Sequence, residues 1–308
     1  MSRGLFEHLI NIEDLDKSVI TDIIRDADLF KQNRKQSDVT GKTVALMFCE
    51  NSTRTRCSFE EAAKKLGMNV INFDATSSSF AKGESMKDTV ENLYAIGVEV
   101  VVIRHSITGI IDNTLGKINC NMHFVNAGDG NRAHPSQALL DFYTMLETLG
   151  TVEGKKVLIA GDISFSRVAK SNIALLNKFG ADVHLCSPKY YKPSGIEKLG
   201  VTYHDDIEDA LKDADVVMVL RVQNERHGNL IYPSTAEYKR KYNINSKNFK
   251  LAKESAILMH PGPVNRDVEL SSELMDSDAG KTILRQTKNG VFVRMAILNK
   301  ILSSGRAE

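Results

Sequence analysis

Strand-like and helix-like segments alternate along this chain in two successive series, and that pattern constrains the fold more tightly than any other feature. The first series has apolar, β-branched stretches at 43–49, 69–73, 99–103 and 122–126, each of a length and composition that suit a strand buried on both faces. Helical patterns stand around them. Residues 17–34 put Val19, Ile20, Ile23, Ile24 and Ala27 on one face behind a cap candidate, Asp16. Residues 57–67 end at Gly67, residues 86–96 follow the capping-box pair Ser85 and Asp88, and residues 107–118 make a further helix. His134-Pro135-Ser136-Gln137 then opens a helix with Pro135 in its first turn. After a glycine-bounded link at 150–154 the alternation restarts, with strands at 156–160, 182–186, 216–220 and 256–259. Its helices reach 179, cover 234–242, and close the chain at 287–303, where Val291, Met295, Leu298 and Leu302 share a side. Alternation of this kind demands parallel sheets with helical crossovers. The fold class expected is α/β, with two doubly wound parallel-sheet domains.

Composition narrows the function. The 308 residues carry a formal net charge of +1, so no basic field for nucleic acid exists and any cationic site must be a local concentration. No apolar run approaches a membrane helix, and 1–10 lacks the long apolar region of a secretory leader. Cys49, Cys57, Cys120 and Cys186 are scattered, with no CxxC pair and no histidine at ligand spacing. They read as reduced thiols of a cytoplasmic protein, and neither metal nor cofactor is expected.

Ligands of parallel sheets bind beyond the carboxyl ends of the strands, and the polar clusters of this chain fall there. The first is Glu50-Asn51-Ser52-Thr53-Arg54-Thr55-Arg56. The first-turn N–H groups of a helix lack intrahelical acceptors, and the macrodipole makes that end positive. Three hydroxyls and the Arg54 fork complete a phosphate cradle. The later clusters are Arg104-His105, His134 to Gln137, Arg167, the run from Arg221 through Gln223 to Arg226, and His260-Pro261-Gly262-Pro263. A polar loop at 74–84, too long for an ordinary connection, carries Ser77, Ser78, Ser79 and Lys82. His8, His123, His184, His204 and His227 read as surface or packed imidazoles, and His105 and His260 as residues with backbone or shape roles.

In content, order and spacing these clusters resemble the catalytic chains of the aspartate carbamoyltransferase family. The STRTR motif at 52–56 is shared by several carbamoyltransferases; HPSQ at 134–137, RVQNER at 221–226 and HPGPVNRD at 260–267 point to the aspartate branch. The resemblance implies transfer of a carbamoyl group from carbamoyl phosphate to L-aspartate, an early step of pyrimidine biosynthesis. It implies that Ser52, Thr53, Arg54 and Thr55 hold the phosphate, with Arg104 bridging phosphate and carbonyl oxygen. Thr55, Arg104 and His134 would polarise that carbonyl. Gln137 and the backbone carbonyls of Pro261 and Gly262 would bind the carbamoyl NH2, and Arg167, Arg221 and Gln223 the two aspartate carboxylates.

The resemblance also implies that Ser78 and Lys82 reach a neighbouring subunit's site, with Lys82 acting in aspartate binding and catalysis. The working unit would then be a homotrimer with shared sites, compatible with regulatory chains or pyrimidine-pathway partners joining it. Glu50, with Arg167 and Arg226, would latch the domains closed. The expected limits are 1–133 for the carbamoyl-phosphate-binding domain and 134–285 for the aspartate-binding domain, with the helix at 286–308 returning to the first. No nucleophilic serine or cysteine is required, because the donor is already activated.

Three alternatives compete. An ornithine carbamoyltransferase shares the phosphate motif, but its relatives carry a cysteine in the motif matching 260–263, and none is present here. A nucleotide-dependent oxidoreductase would need GxGxxG where this chain has Gly161-Asp162-Ile163-Ser164-Phe165-Ser166-Arg167. A non-catalytic phosphate-binding protein would not need the whole set of motifs.

Overall fold

The computed structural model describes residues 6–73, 83–222 and 234–303. Ser77, Ser78, Ser79, Lys82, Gln223, Arg226 and His227 lie outside them. The chain divides into two units, one formed by Met1–Leu140 with Asn289–Glu308, the other by Asp141–Lys288.

The first unit holds the strands β1 (His8–Leu9), β2 (Thr43–Phe48), β3 (Asn69–Phe73), β4 (Val100–His105) and β5 (His123–Asp129). They form one sheet in the order β1-β5-β4-β2-β3, with every pair parallel. Val44 to Met47 in β2 and Val100 to Ile103 in β4 are buried without interruption, as strands covered on both faces must be. The helices are α1 (Lys17–Lys31), α2 (Thr53–Lys65), α3 (Met86–Ala95), α4 (Ile110–Leu115) and α5 (Pro135–Leu149). The division between units falls inside α5.

The second unit repeats the plan with β6 (Lys156–Ala160), β7 (Asp182–Cys186), β8 (Thr202–His204), β9 (Val216–Val219) and β10 (Ile257–Met259). Their order is β10-β9-β6-β7-β8, again all parallel. Its helices are α6 (Arg167–Lys178), α7 (Ile207–Leu211), α8 (Thr235–Tyr242), α9 (Ser272–Met275) and α10 (Lys281–Ser303). The second half of α10 belongs to the first unit. There Asn289 Oδ1 accepts from Lys31 Nζ at 2.8 Å, Arg294 donates to Ser58 Oγ at 2.7 Å, and Asn299 Oδ1 accepts from the Asp38 N–H at 2.9 Å. The fold class is thus α/β, two doubly wound parallel sheets with the last helix returning to the first.

Several elements differ from the sequence expectation for physical reasons. Helix α2 begins at Thr53 rather than 57, because its first turn carries no apolar residue to mark it. Helix α10 begins at Lys281 rather than 287, where the buried side of the helix includes Gln286 and so breaks the apolar period. Helix α4 is confined between Gly109 and Gly116, shorter than 107–118. Asp16 precedes α1 without capping it through its side chain, whereas Ser85 does accept from the Asp88 N–H at 3.1 Å. Strands β1 and β8 are too short to show a period of two.

The strand orders create one switch point in each sheet. The chain leaves β2 for β3 on one side and returns as β4 on the other, so the crevice opens between β2 and β4. In the second unit the same reversal falls between β6 and β9. Open α/β sheets bind ligands at such points.

Candidate active site

In the first unit the switch point is lined from the carboxyl ends of three adjacent strands, β2, β4 and β5. The turn after β2 delivers Ser52, Thr53, Arg54 and Thr55, of which the last three occupy the first turn of α2. Ser52 stands before the helix in extended conformation and makes no side-chain hydrogen bond to it. First-turn N–H groups of α2 and the Ser52 hydroxyl are therefore not spent on each other, which is the arrangement an oxyanion needs. Thr53 and Arg54 are exposed and Thr55 is buried.

Arg104 is paired in register with Phe48 of β2. Beside it the β4–β5 ladder slips, His105 facing Asp129 where Ile103 faces Asn126, so β5 carries an extra residue. Such a bulge re-aims side chains at a sheet end. The Arg104 guanidinium meets Glu50 Oε1 through Nε at 2.7 Å, a partner the sequence reading did not name for either residue. His105 is turned inward: its Nδ1 accepts from the Ile107 N–H at 2.9 Å. Burial holds its imidazole below the ordinary histidine range, against the opposing pull of Glu50 and Asp129. Burial, aided by Glu50, pushes the neighbouring Cys49 thiol up to about 11, which keeps it protonated and inert at neutral pH.

His134 and Gln137 sit at the start of α5 and are buried. The His134 carbonyl accepts from the Gln137 and Ala138 N–H groups at 3.0 and 3.2 Å, so the backbone that carries the imidazole is already fixed as the beginning of the helix.

The second unit lines its own switch point from the matching strands, β6, β9 and β10. Gly161 follows β6 with φ +125, and a Cβ there would stand 2.7 Å from the Leu220 carbonyl oxygen. Only glycine lets the two strand ends come this close. Ser166 caps α6 by accepting from the Ala169 N–H at 3.1 Å. Arg167, the first residue of that helix, is buried at 4% exposure. Arg221 is half-buried just beyond β9, and Pro261 and Gly262 follow β10, half-buried, with Gly262 at φ +70. The sequence-derived residues that are described thus collect as Ser52 to Thr55, Arg104, His134 and Gln137 in one unit, and as Arg167, Arg221, Pro261 and Gly262 in the other. Among the described residues no cluster of histidine, cysteine or carboxylate side chains suits a metal ion.

Sequence reasoning missed the polar residues that hold the second half together. Asp141, buried in α5, accepts from Asn172 of α6 at 2.9 Å and from Gln286 of α10 at 2.6 Å. Gln286 Oε1 in turn accepts from the His260 N–H at 3.1 Å. The only sequence signal for them was polarity at helix positions that should have been apolar.

An uncapped helix N-terminus carrying Arg54 at one switch point, and the buried Arg167 with Arg221 at the other, define a class: doubly wound α/β proteins with hydrogen-bond donors and guanidinium groups at the carboxyl ends of both sheets. Within that class the chain belongs to the aspartate/ornithine carbamoyltransferase family, whose carbamoyl-P binding domain matches residues 7–147 and whose Asp/Orn binding domain matches residues 153–301. It is 45% identical over 307 residues to an aspartate carbamoyltransferase catalytic subunit from Syntrophotalea carbinolica, covering 98% of this chain and 97% of that one. A catalytic subunit from Geobacter sulfurreducens is 46% identical over 301 residues, covering 95% of this chain and 96% of its own. Among solved structures, aspartate transcarbamoylase from Trypanosoma cruzi in complex with carbamoyl aspartate and phosphate superposes with a TM-score of 0.86 at 29% identity, covering 96% of each chain. The catalytic subunit of M. jannaschii aspartate transcarbamoylase does so at 0.83 and 33%, covering 98% of this chain and all of its own.

Proposed function

We propose that this chain transfers the carbamoyl group of carbamoyl phosphate to the amine of L-aspartate, releasing N-carbamoyl-L-aspartate and phosphate for pyrimidine biosynthesis. The observation that carries the reading is the repetition of anion-binding groups at the switch points of both sheets. In this reading Ser52, Thr53, Arg54 and Thr55 hold the phosphate, and Arg104 and His134 join Thr55 at the carbonyl oxygen. Gln137, Pro261 and Gly262 take the carbamoyl NH2, while Arg167, Arg221, Gln223 and Lys82 serve aspartate. The amine nitrogen bonds to the carbonyl carbon as the bond from that carbon to the phosphate oxygen breaks. Phosphate leaves with the electron pair and accepts the amine proton. Charge grows on the carbonyl oxygen between these events, and each preorganised donor aimed at it is worth about 10²–10³ in rate. A cytoplasmic homotrimer, with Ser78 and Lys82 supplied to a neighbour's site, completes the proposal.

The test is turnover by the purified full chain with carbamoyl phosphate and either aspartate or ornithine, following the ureido product, with an NAD(P)H absorbance control. Aspartate alone should be carbamoylated, and the active species should sediment at the mass of three chains. Turnover of ornithine, or none of either, defeats the assignment; an active monomer defeats only the shared-site part.

A further inference from the structure

The turn at 260–265 is held by a buried carboxylate that belongs to none of the motifs. Glu269 is fully buried, and its Oε1 accepts from the Asn265 N–H at 2.6 Å. The same oxygen stands 3.4 Å from His260 Nε2, with both side chains shut away from solvent. His260 Nδ1 accepts from the Gly262 N–H at 2.8 Å. A backbone N–H can only donate, so Nδ1 carries no proton and the ring hydrogen is on Nε2, toward Glu269. Glu269 is thus the buried charge that faces the imidazole at 3.4 Å, an electrostatic contact without hydrogen-bond geometry, and the imidazole orients the Pro261–Gly262 peptide.

That peptide is planar and trans, which sets its C=O opposite to its N–H. With the Gly262 N–H turned onto His260, the Pro261 carbonyl is turned away from the ring and cannot swing. The Asn265 side chain extends the hold, donating from Nδ2 to the Val222 carbonyl at 3.3 Å, one residue beyond Arg221. On its other side His260 is tied through Gln286 and Asp141 to Asn172, on the helix that begins with Arg167. A polar network, buried at Glu269, His260, Gln286, Asp141 and Asn172 and half-buried at Asn265, thus reaches the described pieces of the second half-site.

We propose that Glu269 is a positioning residue that aims the Pro261 carbonyl at the carbamoyl NH2 and, through Asn265, steadies the segment carrying Arg221. This rests on the carbamoyl-transfer reading and adds to it where selectivity for a carbamoyl over an acyl group arises. A carbonyl acceptor rewards an NH2 and gives nothing to a methyl. Acetyl phosphate, which replaces that NH2 by CH3, is therefore the probe.

Glu269→Ala in the full-length protein should narrow the preference for carbamoyl phosphate over acetyl phosphate about tenfold, the worth of one well-placed buried hydrogen bond. Competition by inorganic phosphate should change by less than about twofold, because phosphate makes no use of that carbonyl. Glu269→Gln keeps an acceptor for the Asn265 N–H and should recover part of the lost preference. Asn265→Ala removes only the bond to Val222 and should raise the aspartate KM about threefold to tenfold with little change in kcat. A general loss of integrity would weaken all three phosphates alike.

An unchanged carbamoyl-to-acetyl ratio in folded Glu269→Ala overturns the proposal, as does parallel weakening of every ligand. Should Glu269→Ala fail to fold, an unchanged aspartate KM in Asn265→Ala overturns it instead. Wild-type protein that transfers no carbamoyl group would sink the underlying reading as well, whereas an active wild type with either contrary result sinks this inference alone.

Discussion

The turn that leaves β2 carries Thr53 and Arg54 in the open, whereas the turn that leaves β6 buries Asp162, Ser166 and Arg167. Both turns sit at the switch point of a five-stranded parallel sheet and both lead into a helix. Their serines show the contrast best. Ser166 spends its hydroxyl on the N–H of Ala169, while Ser52, at the equivalent place, makes no such bond. One helix start is finished by its own chain; the other, in the carbamoyl-transfer reading proposed above, is left for the substrate phosphate to complete. A phosphate group must arrive and leave at every turnover, and an open turn suits that. A buried guanidinium is costly to desolvate but cannot wander, which suits a residue that only has to be in place.

The largest test of this contrast exchanges the arginines. Arg54→Ala should lower kcat/KM for carbamoyl phosphate about 10²–10³-fold while leaving unfolding free energy within about 0.5 kcal/mol of the parent. Arg167→Ala should impair aspartate use and also cost more than about 1 kcal/mol, since a packed side chain is removed. Steady-state kinetics beside denaturant unfolding would show it, and equal stability losses would erase the distinction.

A smaller effect is expected at the serines. Ser166→Ala loses a cap and should destabilise by about 1 kcal/mol. Ser52→Ala should leave stability within about 0.5 kcal/mol yet raise the carbamoyl phosphate KM. The reverse pattern would mean that the open turn is capped after all.

The smallest effect compares the units through one histidine each. Burial lowers the His105 pKa, with Glu50 and Asp129 opposing. Burial also lowers that of His204, helped by His184 at 2.7 Å and by Lys156, with Asp209 and Asp182 opposing. For both, the unfolded chain takes up a proton first as pH falls. Their contribution is therefore whole above about pH 6.5 and is lost as pH drops toward the folded value. Unfolding free energy measured between pH 7 and pH 5 should fall less steeply in His105→Asn and in His204→Asn. A steeper fall would reverse the assigned direction.

Most of the fold was legible because the central strands β2, β4, β6 and β9 are largely apolar, and β3, β6 and β7 fall where the pattern put them. The run of hydroxyls and arginines at 52–56 was legible as a candidate anion cradle, and it does open a helix at the switch point of the first sheet. That Thr53, Arg54 and Thr55 are themselves helical was not, because periodicity is read from apolar residues and that turn has none. Asp141, Glu269 and Gln286 were invisible for another reason. None of them belongs to a motif, and they acquire meaning only when helices and a loop distant in sequence are packed side by side. His184 and His204, read as surface or packed imidazoles, stack on neighbouring strands at 5.0 Å between centroids, a pairing that strand β8 alone creates.

The return of α10 to the first sheet has a consequence for biogenesis. Lys31, Asp38 and Ser58 meet their partners on Asn289, Asn299 and Arg294, which are synthesised 258, 261 and 236 positions later. The first sheet must therefore wait, with these polar groups in water, until α10 has emerged. Loss of even the final two turns of that helix would be felt around Asp38, in the part of the molecule that had the longer time to fold.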